Sequence, residues 1–125
     1  MTENIEFYIG DTYSRDITIL KYTKPITDMF FTVKINDNYK SFVLQKTLNN
    51  GITIVDEGTN EDGDYYRTYN LNIDATDTDN LKPDIDYTYD FEIISPGTSF
   101  ASIKQTIITG IFRITNDTTK TFNEN

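Results

Sequence analysis

The chain contains no cysteine, no histidine and no tryptophan among its 125 residues, and only two alanines, Ala75 and Ala101. Without cysteine there is no disulfide, no thiolate nucleophile and no Cys-ligated zinc or iron–sulfur centre. Without histidine the chain lacks the side chain that most often moves protons near neutral pH, which is also the commonest metal ligand. Catalysis would fall to carboxylates, Lys, Tyr, Ser or Thr alone, and no catalytic or cofactor-binding residue is assigned. No stretch approaches the roughly 18 consecutive apolar residues of a membrane-spanning helix. The opening MTENIEFYIG also lacks the basic-then-apolar order of a signal peptide. Synthesis and assembly in a cytoplasm are expected.

What replaces alanine sets the fold class. There are 17 Ile, 3 Val and 20 Thr, so β-branched residues make up about a third of the chain, and 9 Tyr and 8 Phe join them. Such side chains are stiff at χ1 and suit a pleated surface, whereas the best helix former is nearly missing. The expectation is an all-β protein. At this length it should form one domain that buries roughly two-thirds of its unfolded surface. The net charge of −9 and a pI near 4.3 disfavour a nucleic-acid partner, because phosphates would be repelled. No membrane partner is expected either.

Alternation of apolar residues sketches the strands. Ile5-Phe7-Ile9 stops at Gly10-Asp11, and a second strand runs through Ile17 and Ile19 to a break at Lys24-Pro25. Met29-Phe31-Val33-Ile35 follows, with a turn at Asp37-Asn38, and then Phe42 and Leu44. Asn49-Asn50-Gly51 predicts a type I′ hairpin, since both central residues of that turn need positive φ. Asp56 to Asp64 reads as a mobile acidic loop. The two clearest strands are Tyr65 to Ile73 and Ile85 to Ile94, expected to lie in opposite sheets and joined by a polar crossover. Ser95-Pro96-Gly97 turns the chain into a last strand from Ile103 to Ile114, where Gly110 predicts a bulge. Eight or nine short strands at such spacing predict a two-sheet antiparallel β-sandwich, immunoglobulin-like, over residues 1–115. A polar tail would fill 116–125.

The acidic positions Asp74, Asp77, Asp79, Asp84, Asp86 and Asp90 invite a calcium reading. From Asp77 the series meets Leu81 early, has no glycine at the sixth place and puts Thr88 at the twelfth, which is not an EF-hand loop. An irregular inter-strand calcium site stays open beside the simpler reading of solvated carboxylates in Asx turns; no metal ligand is assigned. Asp56, Glu57, Glu61, Asp62 and Asp64 are read in the same way. Asp90 and Glu92 share a strand face without the setting of a glycosidase pair. Tyr65 and Tyr66, with Phe122 in the tail, are candidate interface residues. Tyr8, Tyr13, Tyr22 and Tyr39 add rings that alternation would leave outside the core, where they offer area at low entropy cost. The alternative is that Tyr simply replaces Phe on a half-buried sheet. Tyr87, six residues after Leu81, is placed as a tyrosine corner whose hydroxyl would pin the crossover to backbone just upstream.

The landmarks together resemble a β-sandwich module of tailed-phage structural proteins, including the N-terminal domain of the phage baseplate upper protein. In order they are Gly10-Asp11-Thr12, Pro25-Ile26-Thr27-Asp28, Phe31-Thr32-Val33-Lys34, Gln45-Lys46 and Asn50-Gly51-Ile52-Thr53-Ile54. Leu71, Ile73, Asp77-Thr78 and Leu81 follow. Tyr87-Thr88-Tyr89-Asp90-Phe91-Glu92-Ile93 and Thr109-Gly110-Ile111-Phe112-Arg113-Ile114 complete the series. The resemblance implies a non-enzymatic virion protein that works by assembly with other tail, baseplate or capsid proteins. Baseplate or tail accessory, head decoration and fibre attachment are the roles it offers. It further implies several copies per particle and a location in the virion. A recognition module for a host surface protein or glycan is the alternative.

Overall fold

The computed structural model describes residues 2–20, 26–36, 38, 41–95 and 103–116, with the side chain of Ile103 outside that description. Eight strands form: β1 (Ile5–Tyr8), β2 (Tyr13–Leu20), β3 (Asp28–Lys34), β4 (Leu44–Leu48), β5 (Gly51–Thr59), β6 (Tyr65–Ile73), β7 (Tyr87–Ser95) and β8 (Ile103–Thr115). One 3₁₀ turn, Ala75–Thr78, interrupts the crossover between β6 and β7. The strands join in one mixed sheet in the order β1-β8-β7-β3-β4-β5-β6-β2. Among the described residues no helix is long and apolar enough to cross a membrane.

The period-2 pattern fills the interior as the alternation requires. Met29, Phe31 and Val33 from β3, Tyr69, Leu71 and Ile73 from β6, and Tyr87, Tyr89, Phe91 and Ile93 from β7 all turn inward and are buried. Phe31 sits at the hub, with ring centroids 5.1 Å from Phe91, 5.4 Å from Tyr89 and 6.0 Å from Phe112. Phe112 meets Phe7 edge-on at 5.6 Å, and Phe7 stacks on Tyr13 at 5.1 Å. That aromatic series runs from the middle of the sheet to both of its edge strands. It links β1 to β2 through the Phe7–Tyr13 stack, and the curled sheet comes close to a barrel.

The sheet departs from four sequence expectations. It is not wholly antiparallel, because β1 runs parallel to β8 and β4 parallel to β5. The Asn49-Asn50-Gly51 segment is no hairpin: positive φ falls on Asn49 and Gly51 instead of on two consecutive central residues. Thr47 and Asn50 exchange both of their backbone hydrogen bonds, at 2.9 and 3.0 Å, and the chain rounds a corner and continues in the same direction. Gly51 is required there twice over, by its φ of +96° and because the stem of Lys46 crosses the space a Cβ would take. The acidic stretch is shorter as a loop than expected. Residues 56–59 belong to β5, and a turn at 60–64 joins them to β6 as Asn60 Oδ1 accepts the amides of Asp62 and Asp64.

Gly110 holds no bulge. It pairs in register with Tyr89, while the extra residue of β8 is Ile107, between Ile108 opposite Phe91 and Thr106 opposite Glu92. Ile108, Phe112 and Ile114 share the inner face by plain alternation, so no bulge is needed to bring them together. The missing side chain at Gly110 serves close approach instead, since a Cβ there would overlap the Glu3 carbonyl. Gly110→Ala should therefore cost about 1–3 kcal/mol of overpacking and strain, read as a lower urea midpoint at unchanged slope. A shift within error would contradict this packing.

Candidate functional site

The densest polar constellation lies where the first strand meets the last. Thr2 to Tyr8 run alongside Thr109 to Thr115 in parallel register, opening with an isolated bridge between Thr2 and Thr109. The Glu3 amide donates to Thr109 O at 2.8 Å. In a regular parallel ladder the Glu3 carbonyl would then accept the Ile111 amide. Instead it turns inward over Gly110 and accepts the Tyr89 hydroxyl. The Asn4 side chain takes the vacated place, its Oδ1 accepting Ile111 N at 3.1 Å. Every group in the exchange keeps a partner, which is what a half-buried backbone demands.

The Glu3 side chain reaches across to β2 and pairs with the Arg15 guanidinium. Burial works against the Arg15 charge, but the hydrogen bond and charge of Glu3 outweigh it and hold its pKa above the ordinary value. Burial also pushes the Tyr89 phenol up, against the opposing pull of Arg15. This is a clasp between the two edge strands. Sequence reading singled out Gly110 and missed Glu3, Asn4, Arg15 and Tyr89. The only available signal was a polar pair, Glu3-Asn4, just ahead of an alternating strand.

At one end of the sheet, Tyr87 is buried and its hydroxyl accepts the Lys82 amide at 3.0 Å. Leu81 is buried beside it, its amide donating to Thr78 O at 3.0 Å. Around this corner opens an apolar groove of about 460 Å³, lined by Ile35, Val43, Asn80, Leu81, Lys82, Ile85 and Tyr87. Ile35, Val43 and Ile85 are exposed there. Tyr65 is exposed and Tyr66 half-buried, and each hydroxyl donates to a carboxylate of β5: Glu57 at 3.1 Å and Asp56 at 3.3 Å. The Asp56 charge raises the Tyr66 phenol above its ordinary pKa. Phe122, Tyr22, Tyr39, the 117–125 segment and residues 96–102 lie outside the described residues.

Of the carboxylates that invited a calcium reading, Asp74, Asp77, Asp84 and Asp86 make contacts within the fold. Asp77 Oδ2 accepts the Asp74 amide at 2.7 Å and pairs with Lys46 Nζ at 2.8 Å. Arg113 gathers Asp86 at 3.1 Å, Glu6 at 3.6 Å and Asp84 at 3.9 Å. Among the described residues no group of three or more His, Cys, Asp or Glu is placed to hold a metal ion. Protein-family models, curated proteins and solved structures were all compared with the chain, and none matches it.

Two predictions arise from these contacts. Tyr87→Phe should cost about 1–3 kcal/mol, because it leaves the part-buried Lys82 amide without its acceptor, measured by equilibrium denaturation. The unfolded chain releases the phenolic protons of Tyr89 and Tyr66 before the folded chain does. Stability should therefore be full below about pH 10 and fall as pH rises through the raised folded values. Tyr89→Phe should flatten that alkaline loss, and an unchanged slope of stability against pH would contradict the assignment.

Proposed function

We propose that this chain is a non-enzymatic structural component of a bacteriophage virion, acting by protein–protein assembly. It serves as a baseplate or tail accessory, or as a head decoration or fibre-attachment protein. It is assembled in the host cytoplasm with other virion proteins and is present in several copies. One observation carries this reading. The short motifs that resemble the phage module coincide with the joints of this fold. Gly10-Asp11-Thr12 joins β1 to β2, Asn50-Gly51 rounds the β4–β5 corner, Leu81 and Tyr87 pin the crossover, and Gly110 receives the Glu3 carbonyl. Joints constrain residue type more strongly than strand faces do, because positive φ and close approach admit few side chains.

The same reading resolves the curled sheet into two layers of an immunoglobulin-like sandwich, β1-β8-β7-β3-β4 against β5-β6-β2. What supports the division is the β4–β5 junction, which rests on only two paired positions. The apolar groove beside the corner favours a second reading, recognition of a host surface protein or glycan, because concave apolar sites with a few polar groups are where ligands bind.

Purified particles probed with an antibody against this chain, viewed by negative-stain microscopy, test the first reading. Label at one fixed position on the particle is expected, and absence of the chain from washed particles overturns it. Binding to a host glycan array by the isolated chain, lost in Ile85→Asp, would instead favour the second reading.

A further inference from the structure

A second opening lies on the opposite side of the clasp, between β2 and the first half of β8. It is about 350 Å³ in volume and lined by Arg15, Asp16, Ile17, Thr18, Ile19, Ile107 and Ile108. β2 is an edge strand of the sheet, and among the described residues its outer edge makes no backbone–backbone hydrogen bond. β1 covers the outer edge of β8 only from Phe112 to Thr115, with the single bridge at Thr109 beyond. Among the described residues, the first half of β8 therefore pairs with β7 alone and has no strand partner on the side of the gap. Edge strands are ordinarily blunted by charge, proline or a bulge. The β8 side has Lys104 and the bulge at Ile107, and β2 carries Arg15, paired with Glu3, and Asp16 in its first half. Its second half runs Ile17-Thr18-Ile19-Leu20 without charge, proline or bulge, and Leu20 is 56% exposed.

We propose that this gap receives one extended strand, the free end of a partner protein, which pairs with the outer edge of β2. Its apolar side chains, at alternate positions, would pack on Ile19, Ile107 and Ile108. Three features select that occupant. The outer-edge main-chain groups of β2, unpaired among the described residues, call for a backbone in β conformation, which is how strand addition gains affinity. The isoleucine lining calls for apolar residues with a period of two. The opening is lined from both β2 and β8 and holds about 350 Å³, room for a short extended segment and not for the edge of a folded sheet. A second copy of this chain would have to bring a recessed edge of its own into it, against a like net charge of −9. The inference deepens the assembly reading above and names the kind of partner.

The probe is a capped peptide, Lys-Thr-Val-Thr-Val-Thr-Lys, added to the full chain and followed by amide hydrogen exchange. Protection is expected to rise along Arg15 to Leu20 and along Ile103 to Ile108. The same peptide N-methylated at alternate amides on its hydrogen-bonding side should bind at least about tenfold more weakly. Ile19→Ala and Ile107→Ala should weaken binding likewise; both side chains also pack against the core, so each variant is compared with the parent chain at a temperature where circular dichroism shows it folded. Failure of the peptide to protect either edge overturns the proposal, as does equal binding of the methylated peptide. Protection of the β2 edge in the isolated chain also overturns it, because the gap would then already be filled from within. Concentration-dependent self-association that protects the same edges overturns the choice of occupant. Peptide binding by a chain that is absent from particles would overturn the virion role and leave the docking gap standing.

Discussion

The Glu3 carbonyl is the point on which the closure of this sheet depends. By leaving the ladder it loses the Ile111 amide, and three residues far apart in sequence make that loss bearable. Gly110 supplies the space, Tyr89 donates a replacement hydrogen bond, and Asn4 takes over Ile111. An unpaired buried carbonyl or amide would cost about 1–3 kcal/mol, so the exchange holds only if all three are present. It brings the Glu3 side chain onto Arg15 and so fastens the first strand to the second across an otherwise open edge. The stacked rings of Phe7 and Tyr13 close the same seam from the apolar side. With β1 fixed, Ile5 is buried against the core that Phe112 and Phe31 organise.

The acidity of the chain is put to use in the same manner. A surplus of carboxylates would repel itself in a small domain, yet several are tied to the few cations available. Lys46 lies across Gly51 to hold Asp77 and with it the 3₁₀ turn. Arg113 holds Asp84 and Asp86 at the end of the crossover, where Asp84 also takes a positive φ of 62°. Asp56 and Glu57 accept phenol hydroxyls from the neighbouring strand. These pairs are partly exposed, and each adds little stability by itself. Their effect is to tie the 3₁₀ turn and the end of the crossover to neighbouring strands.

Strand identity was legible because it follows from local alternation. Tyr65 to Ile73 is β6 as the pattern implied, and Tyr87, Tyr89, Phe91 and Ile93 face inward together. Pairing was less legible, because it depends on partners distant in the chain. Asn49-Asn50-Gly51 has the residues of a tight hairpin, and nothing local reveals that the strand beyond it continues forward along β6 instead of folding back on β4. At Gly110 the residue was noticed and its reason misjudged. A glycine in a strand signals either a bulge or a close approach, and only the arrival of Glu3, 107 residues earlier, distinguishes them. The clasp was invisible for the same reason, as its members come from four separate strand regions.

Among the described residues the first strand is clasped onto the last, and the first half of that last strand has no strand partner on the same edge. The central claim is that Gly110 and Tyr89 act on one and the same group, the Glu3 carbonyl. A double-mutant cycle of Gly110→Ala and Tyr89→Phe, followed by urea denaturation, tests it most directly. Once the carbonyl is displaced by the alanine, loss of the phenol should cost little more, so the double variant should be more stable than the sum of the singles by over about 0.5 kcal/mol. Additivity within that margin would mean the two residues act independently and that the clasp, as described, does not exist.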